Sequence, residues 1–179
     1  MINLGLLGPE NTFHDLARKR YLPNSKPHYF NSFHDIFHAL ESGEVEQVLV
    51  AISNSMAGKV GNNLEIIKTK GYQVLEKYDL SIQLCLGSQY PNSLNSIKKI
   101  YSHPMAIKET THYFSKYSHI KFIASTSTAG AIDEMKSSKD KQAAVISSKE
   151  ALESLNLLII EENIHDESNN ITTFGLISI

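Results

Sequence analysis

The sequence predicts an α/β protein of two lobes, and three features predict it. Residues 48–52 (Val-Leu-Val-Ala-Ile) form an unbroken apolar run, short and bounded by polar residues, as in a strand buried on both faces of a helix-covered parallel sheet. Strand-like runs are repeatedly followed by Ser or Thr and then a helical pattern, which reads as a series of βα units. Residues 72–86 make one long, mostly alternating extended segment, long enough to pass from one lobe to the other. The 179 residues suffice to bury a core, and 17 basic against 19 acidic side chains, a formal charge of −2, give no basic face to track nucleic-acid phosphates. Nucleic acid is therefore not an expected partner, and any anion must be held locally.

The first strand covers residues 2–7, Gly8 and Pro9 turn the chain, and a helix follows over residues 13–21, with Thr12 and Asp15 at capping-box spacing. A helix N-terminus placed after a strand is an anion site by geometry. A weaker strand at residues 28–30 leads to a second cap, Ser32 with Asp35, and to a helix whose apolar face is Phe33, Ile36, Phe37 and Leu40 and which Gly43 ends. His34 and His38, four apart on this helix, read as two solvated side chains or as half of a metal site; no third ligand is in view, and no metal is expected. The run at residues 48–52 then stops at Ser53, Asn54 and Ser55, short polar side chains that bond local backbone, with Gly58 and Gly61 permitting turns. Ligands of open α/β sheets sit just beyond the carboxyl ends of strands, so residues 53–61 read as a binding loop or as an ordinary polar connection. A helix over residues 62–70, with Leu64, Ile66 and Ile67 inward, is ended by Gly71. The long extended segment breaks near Asp79, where a hinge is expected, and the single cysteine, Cys85, lies in an apolar run as a small core residue.

The second lobe has βα units of its own. A strand at residues 97–101 leads to Ser102-His103-Pro104 and a helix to residue 117; a strand at residues 121–124 leads through Ser125 to Thr128 into a helix to residue 135. A strand at residues 143–146 precedes Ser147 and Glu150, again at capping-box spacing, and a helix ending near residue 155. A strand at residues 157–160, a polar connection over residues 161–170 and a last strand over residues 172–179, returning to the first lobe, complete the chain. The expected partition is residues 1–77 with 163–179 in lobe one and residues 78–162 in lobe two. No basic leader precedes the first apolar residues and no run approaches membrane-spanning length, so a cytoplasmic protein with no membrane partner is expected.

Five short blocks, taken together and in order, resemble the catalytic domain of the prephenate dehydratase family over essentially the whole chain. Gly8-Pro9-x-x-Thr12-Phe13 with Ala17 resembles the family's GPxGTFS, and Ile52-Ser53-Asn54-Ser55-x-x-Gly58-x-Val60 resembles PIENSxxGxV. Ser102-His103-Pro104 with Ala106 is similar to SHPQA, Ser127-Thr128-Ala129 to the STA element, and Thr172-Thr173-Phe174 stands where the family has TRF. The resemblance implies two α/β lobes with a cleft between them, as in type II periplasmic binding proteins. It also implies a carbon–oxygen lyase acting without a cofactor on a small-molecule carboxylate, and a homo-oligomer. The chain ends at Ile179, just past the TRF-like strand, so the family's C-terminal ACT domain and feedback by phenylalanine are not expected.

Conversion of prephenate to phenylpyruvate expels a ring hydroxyl and carbon dioxide from a dianion, which calls for a donor to the leaving hydroxyl, anchors for two carboxylates and a wall against water. Thr172 resembles the family's essential threonine and is the candidate catalytic donor; read without the resemblance, it is a β-branched strand residue. Thr12, Asn54, Ser55, Ser102, Ser127 and Thr128 are the candidate substrate-binding residues, and Phe174 packs on the substrate ring or in the core. Departures fall on polar positions: Ser53 replaces the Glu of ENS, Thr173 the Arg of TRF, Met105 the Gln of SHPQ, Glu109 stands where a Gln is usual, and Asn11 and His14 replace the Gly and Ser of the first block. Losing a carboxylate and a guanidinium together is easier to tolerate than losing either alone, which predicts a remodelled cleft. Two classes of function follow. One is a lyase of prephenate or a close cyclohexadienyl acid, acting by dehydration with decarboxylation or as a decarboxylase that keeps the hydroxyl. The other is a non-catalytic module binding a small carboxylate in the same cleft.

Overall fold

The computed structural model describes all residues, 1–179. It comprises two compact units: residues 1–82 with 169–179, and residues 83–168. The chain passes between the units at residues 82–83 and 168–169.

The first unit opens with β1 (Asn3–Leu7) and α1 (Phe13–Tyr21), continues through β2 (Lys26–Phe30), α2 (Phe33–Glu41), β3 (Gln47–Asn54), the short β4 (Gly58–Lys59), α3 (Asn63–Lys70) and β5 (Gln73–Ser81), and receives the last strand of the chain, Ile171–Ser178. Its sheet runs β2-β1-β3, then the last strand, then β5, with β4 paired to the end of β3. β1 is parallel to β2 and β3, whereas the last strand is antiparallel to both β3 and β5, so the sheet is mixed. The expected parallel strand at residues 48–52 is present and buried from Val48 to Ile52. Helix α2 lays Ile36, Phe37 and Leu40 against Val48, Val50 and Ile52, and Ile67 of α3 joins the same cluster.

Local caps begin the helices where the sequence places them. Thr12 accepts a hydrogen bond from the Asp15 N–H and Ser32 from the Asp35 N–H. The Asp15 carboxylate reaches back to the N–H of Asn11, one residue earlier than a standard box. Asp15 is fully buried, with Arg18, Lys19 and the Tyr29 hydroxyl on its oxygens. Burial pushes its pKa up, but these donors outweigh that and hold it below the ordinary carboxylate value. At the far end of α3, Gly71 adopts φ 71°, a left-handed cap that a side chain would strain. β5 runs unbroken through Asp79, correcting the expected break and hinge there: the Asp79 carboxylate accepts a hydrogen bond from the Thr173 hydroxyl and its carbonyl accepts one from the Tyr21 hydroxyl, so neighbours pin the residue in the strand.

The second unit contains β6 (Cys85–Ser88), β7 (Lys99–Ser102), α4 (Pro104–Lys108), α5 (Thr111–Phe114), β8 (Lys121–Ala124), α6 (Thr128–Ser138), β9 (Ala143–Ser147), α7 (Lys149–Ser154) and β10 (Leu158–Glu161). The final strand, Ile171–Ser178, is β11 and belongs to the first unit. The sheet of the second unit has the order β10-β6-β9-β7-β8, with β7 parallel to β8 and β9 and with β6 antiparallel to β9 and β10. Its core joins Cys85, Tyr101, Ile132, Met135 and Val145 to Leu152, and burial pushes the Cys85 thiol pKa up, so the cysteine is a core residue. The helix expected to run from Pro104 to residue 117 is split in two. Thr110 turns its hydroxyl onto the carbonyls of Ala106 and Ile107, and α5 restarts where the Asp166 carboxylate receives the N–H groups of His112 and Tyr113. The cap of α7 is Ser148, not Ser147.

His14, one of the departures from the family pattern, is a scaffold residue. β1 pairs with β3 only as far as Leu49, and beyond that point the N–H of Ala51 donates to His14 Nε2 at 3.2 Å while the Ala51 carbonyl accepts from Asn63 Nδ2 at 2.8 Å. Accepting from a backbone N–H requires a neutral imidazole protonated on Nδ1. Burial lowers its pKa to about 3. The folded state thus holds His14 neutral at pH values where the unfolded chain, near 6.5, already binds a proton. Stability from this group is complete above the unfolded value and is lost as pH falls from 6.5 toward 3. Replacing His14 with Gln, which keeps an acceptor but does not titrate, should flatten this acid slope. Urea unfolding at pH 7 and pH 4.5 should show wild type losing about 2–3 kcal/mol more than the variant between the two.

Candidate functional site

The candidate site of the first unit is built where β3 ends beside the start of β11. The antiparallel register sets Asn54 opposite Thr172 and Ser53 opposite Thr173. Asn54 closes a short turn: its Oδ1 accepts from the N–H of Met56 at 2.8 Å and of Ala57 at 2.9 Å. A backbone N–H can only donate, so these two bonds fix which end of the Asn54 carboxamide is oxygen. Its nitrogen consequently faces the other way, donating to Asn170 Oδ1 at 2.7 Å and to Thr172 Oγ1 at 2.9 Å.

That orientation dictates two further ones. Thr172, 8% exposed, receives a hydrogen bond on its oxygen, which leaves its own proton free to donate. Asn170, 2% exposed, must turn its oxygen toward Asn54, and its Nδ2 is then a buried donor with no partner. An unmet buried donor of this kind costs about 1–3 kcal/mol. The local arrangement therefore presents two unspent donors, a hydroxyl and an amide, organised by one nitrogen. Every side chain in the group is uncharged.

The sequence singles out Asn54, Ser55 and Thr172, and the fold brings these three together across 118 residues of chain. Asn170 carries no local signal in the sequence, because an Asn in a polar connection gives no sign that the returning strand buries it. Ser55 is beside the site but fully engaged: its hydroxyl donates to the Asn169 carbonyl at 2.8 Å and accepts from the Ile171 N–H at 2.9 Å, tying down the start of β11.

Other expected ligand contacts have structural duties. The Thr12 hydroxyl donates to the Leu7 carbonyl at 3.0 Å and accepts from Asp15 N–H, so it has no proton left for a carboxylate. Phe174 is buried, edge-on to His14 with ring centroids 5.0 Å apart. In the second unit, Ser102 is buried and donates to the Ile146 carbonyl at 2.8 Å, Ser127 caps α6 by accepting from Gly130 N–H at 2.8 Å, and Thr128 is the first residue of that helix. His103 accepts from the Met105 N–H through Nδ1, and burial lowers its pKa. No three His, Cys, Asp or Glu side chains are grouped to hold a metal, and His34 and His38 are exposed on α2.

The two most conspicuous departures from the family motifs sit elsewhere. Successive strand residues point to opposite faces of a sheet, so Ser53 and Thr173 lie on the face away from Asn54 and Thr172. The Thr173 hydroxyl donates to Asp79 Oδ1 at 2.6 Å. The missing carboxylate and guanidinium thus alter the opposite face from the free Thr172 proton.

The chain matches the prephenate dehydratase family over residues 4–179. It is similar to the prephenate dehydratase of Methanocaldococcus jannaschii, 33% identical over 175 residues that cover 94% of this chain and 62% of that protein. Among solved structures, it is similar to the prephenate dehydratase of Arthrobacter aurescens in complex with L-Phe, with a TM-score of 0.89, 21% identity, and coverage of 99% of this chain and 60% of that one. It is also similar to the methionine-binding protein MetQ, with a TM-score of 0.52, 11% identity, and coverage of 99% and 82%. These likenesses give the fold as the α/β, periplasmic-binding-protein-like type II class. The chain spans about half the length of the bifunctional chorismate mutase/prephenate dehydratases that it also matches, 45% and 46% in two of them. No helix is long and apolar enough to cross a membrane.

Because Asn54 organises the site, Asn54→Ala is an informative change. It removes both the acceptor for the Met56 and Ala57 N–H groups and the donor to Asn170 and Thr172. The expected outcome is a loss of about 1–3 kcal/mol in denaturant-derived stability, larger than for the exposed control Asn31→Ala.

Proposed function

The chain belongs to the prephenate dehydratase family, and from that premise we propose that it is a lyase that converts prephenate, or a close cyclohexadienyl dicarboxylate, to an aromatic keto acid with loss of water and carbon dioxide. The observation that carries this reading is the unspent proton of Thr172, whose oxygen is already occupied by the Asn54 amide. In the reaction the bond from the ring to its carboxylate breaks and that electron pair enters the ring. The bond to the ring hydroxyl breaks with its pair on oxygen, and that oxygen takes one proton to leave as water. A threonine hydroxyl is a weak acid, so Thr172 acts by a hydrogen bond that strengthens as charge grows on the departing oxygen, and solvent restores the proton.

Dehydration with decarboxylation is favoured over decarboxylation alone, because a free donor serves a leaving hydroxyl and has no task when the hydroxyl stays. The reaction needs neither metal nor cofactor, and the small carboxylate is the partner. The cytoplasm and a homo-oligomeric state belong to this reading through the family resemblance. The competing reading is a module that binds a small carboxylate without turnover, and the uncharged character of the site is what supports it.

Purified protein incubated with prephenate should release phenylpyruvate and carbon dioxide in equal amounts. Thr172→Ala should lower kcat by at least about a hundredfold with little change in prephenate affinity. Tight binding of prephenate without any product from wild type would favour the binding module. Carbon dioxide without phenylpyruvate would favour the decarboxylase that keeps the hydroxyl.

A further inference from the structure

Asn170 carries a buried side-chain donor that nothing in the protein uses. It lies in the segment that enters β11, its backbone carbonyl accepts from the N–H of Ile82, and its side-chain oxygen is taken by Asn54. With backbone and oxygen both fixed, the side-chain NH2 is held in one direction and has no partner. Buried donors that stay unmet are uncommon in folded chains, and a fixed, unmet donor beside a functional hydroxyl is what a ligand oxygen would complete.

Asn170 and Thr172 are linked through a single atom: Asn54 Nδ2 bonds the oxygen of each, at 2.7 and 2.9 Å. We propose that Asn170 is a second catalytic donor, its Nδ2–H joining the Thr172 hydroxyl on the ligand oxygen that leaves as the ring aromatises. This inference rests on the lyase reading and adds a residue to it. Its chemical logic follows from the weakness of a threonine as an acid. One hydroxyl cannot hand over a proton cheaply, so the developing charge is met by two neutral donors, as in an oxyanion hole, and one proton is drawn from Thr172 and replaced by solvent. The substrate class that fits is an acid whose departing group is a hydroxyl, since an oxygen carrying lone pairs can accept from both donors at once.

Asn170→Asp isolates the donor, because one carboxylate oxygen still accepts from Asn54 while the other replaces the NH2. The ionised aspartate offers no donor. Its protonated form does, and burial favours protonation. Turnover of prephenate by wild type, Asn170→Asp and Asn170→Ala is measured from pH 8 down to pH 5, with the spontaneous acid reaction subtracted and folding followed by thermal melting. At pH 8 both variants should lose about a hundredfold in kcat. As pH falls, Asn170→Asp should regain at least about tenfold over Asn170→Ala, a recovery that a purely structural role would not produce. Wild type active with Asn170→Ala equally active at pH 8, or with Asn170→Asp no more active than Asn170→Ala at pH 5, overturns this inference and leaves the Thr172 reading standing. Wild type inert toward prephenate overturns both. If Asn170→Ala does not fold, the recovery of Asn170→Asp relative to its own value at pH 8 decides.

Discussion

The carboxamide of Asn54 is the constraint on which the candidate site depends. Two backbone N–H groups, of Met56 and Ala57, take its oxygen, and they leave its nitrogen only one direction to face. From that follow the acceptor role of the Thr172 oxygen, the freedom of the Thr172 proton and the forced orientation of Asn170. A turn of three residues thus sets the hydrogen-bond polarity of side chains more than a hundred residues away. No charge is needed to do so, and in a dry setting neutral donors held in place gain strength that they lack in water.

The sheet supplies the rest. Insertion of β11 between β3 and β5 makes Asn54 and Thr172 cross-strand neighbours, and Ser55 fastens the entry of β11 through three hydrogen bonds with residues 169 and 171. β3 outruns its pairing with β1, and side chains of two different helices, His14 and Asn63, take over the backbone groups of Ala51. Beyond Ala51 the strand is held by β4 on one side and β11 on the other, and the site sits where β3 ends between them.

Much of this was legible in the chain. The apolar run at residues 48–52, the hydroxyls of Thr12 and Ser32, and the polar stop at residues 53–55 carry their signals in neighbouring residues, and they appear where local chemistry puts them. The motif Thr172-Thr173-Phe174 singles out the returning strand, and the register of β11 on β3 brings its first threonine to Asn54. What stayed hidden was set by distant partners. Asp166 caps α5 from more than fifty residues away, which no helical periodicity records. Asp79 stays in a strand because Thr173 and Tyr21 hold it. Asn170 looks like a solvated loop residue until β11 returns and buries it. The exchanges at Ser53 and Thr173 read as a remodelled site in sequence, and only the pleat shows that they point to the other face.

The hydrogen-bond polarity around Asn54 is a matter of where protons lie, and neutron diffraction from a crystal grown in heavy water measures that directly. Deuterons are expected on Asn54 Nδ2 directed at Asn170 Oδ1 and Thr172 Oγ1, with the Thr172 hydroxyl deuteron directed away from Asn54. A Thr172 deuteron lying on the Asn54 side chain would contradict that polarity, since the hydroxyl would then be spent inside the protein and the basis for a donor at that position would be gone.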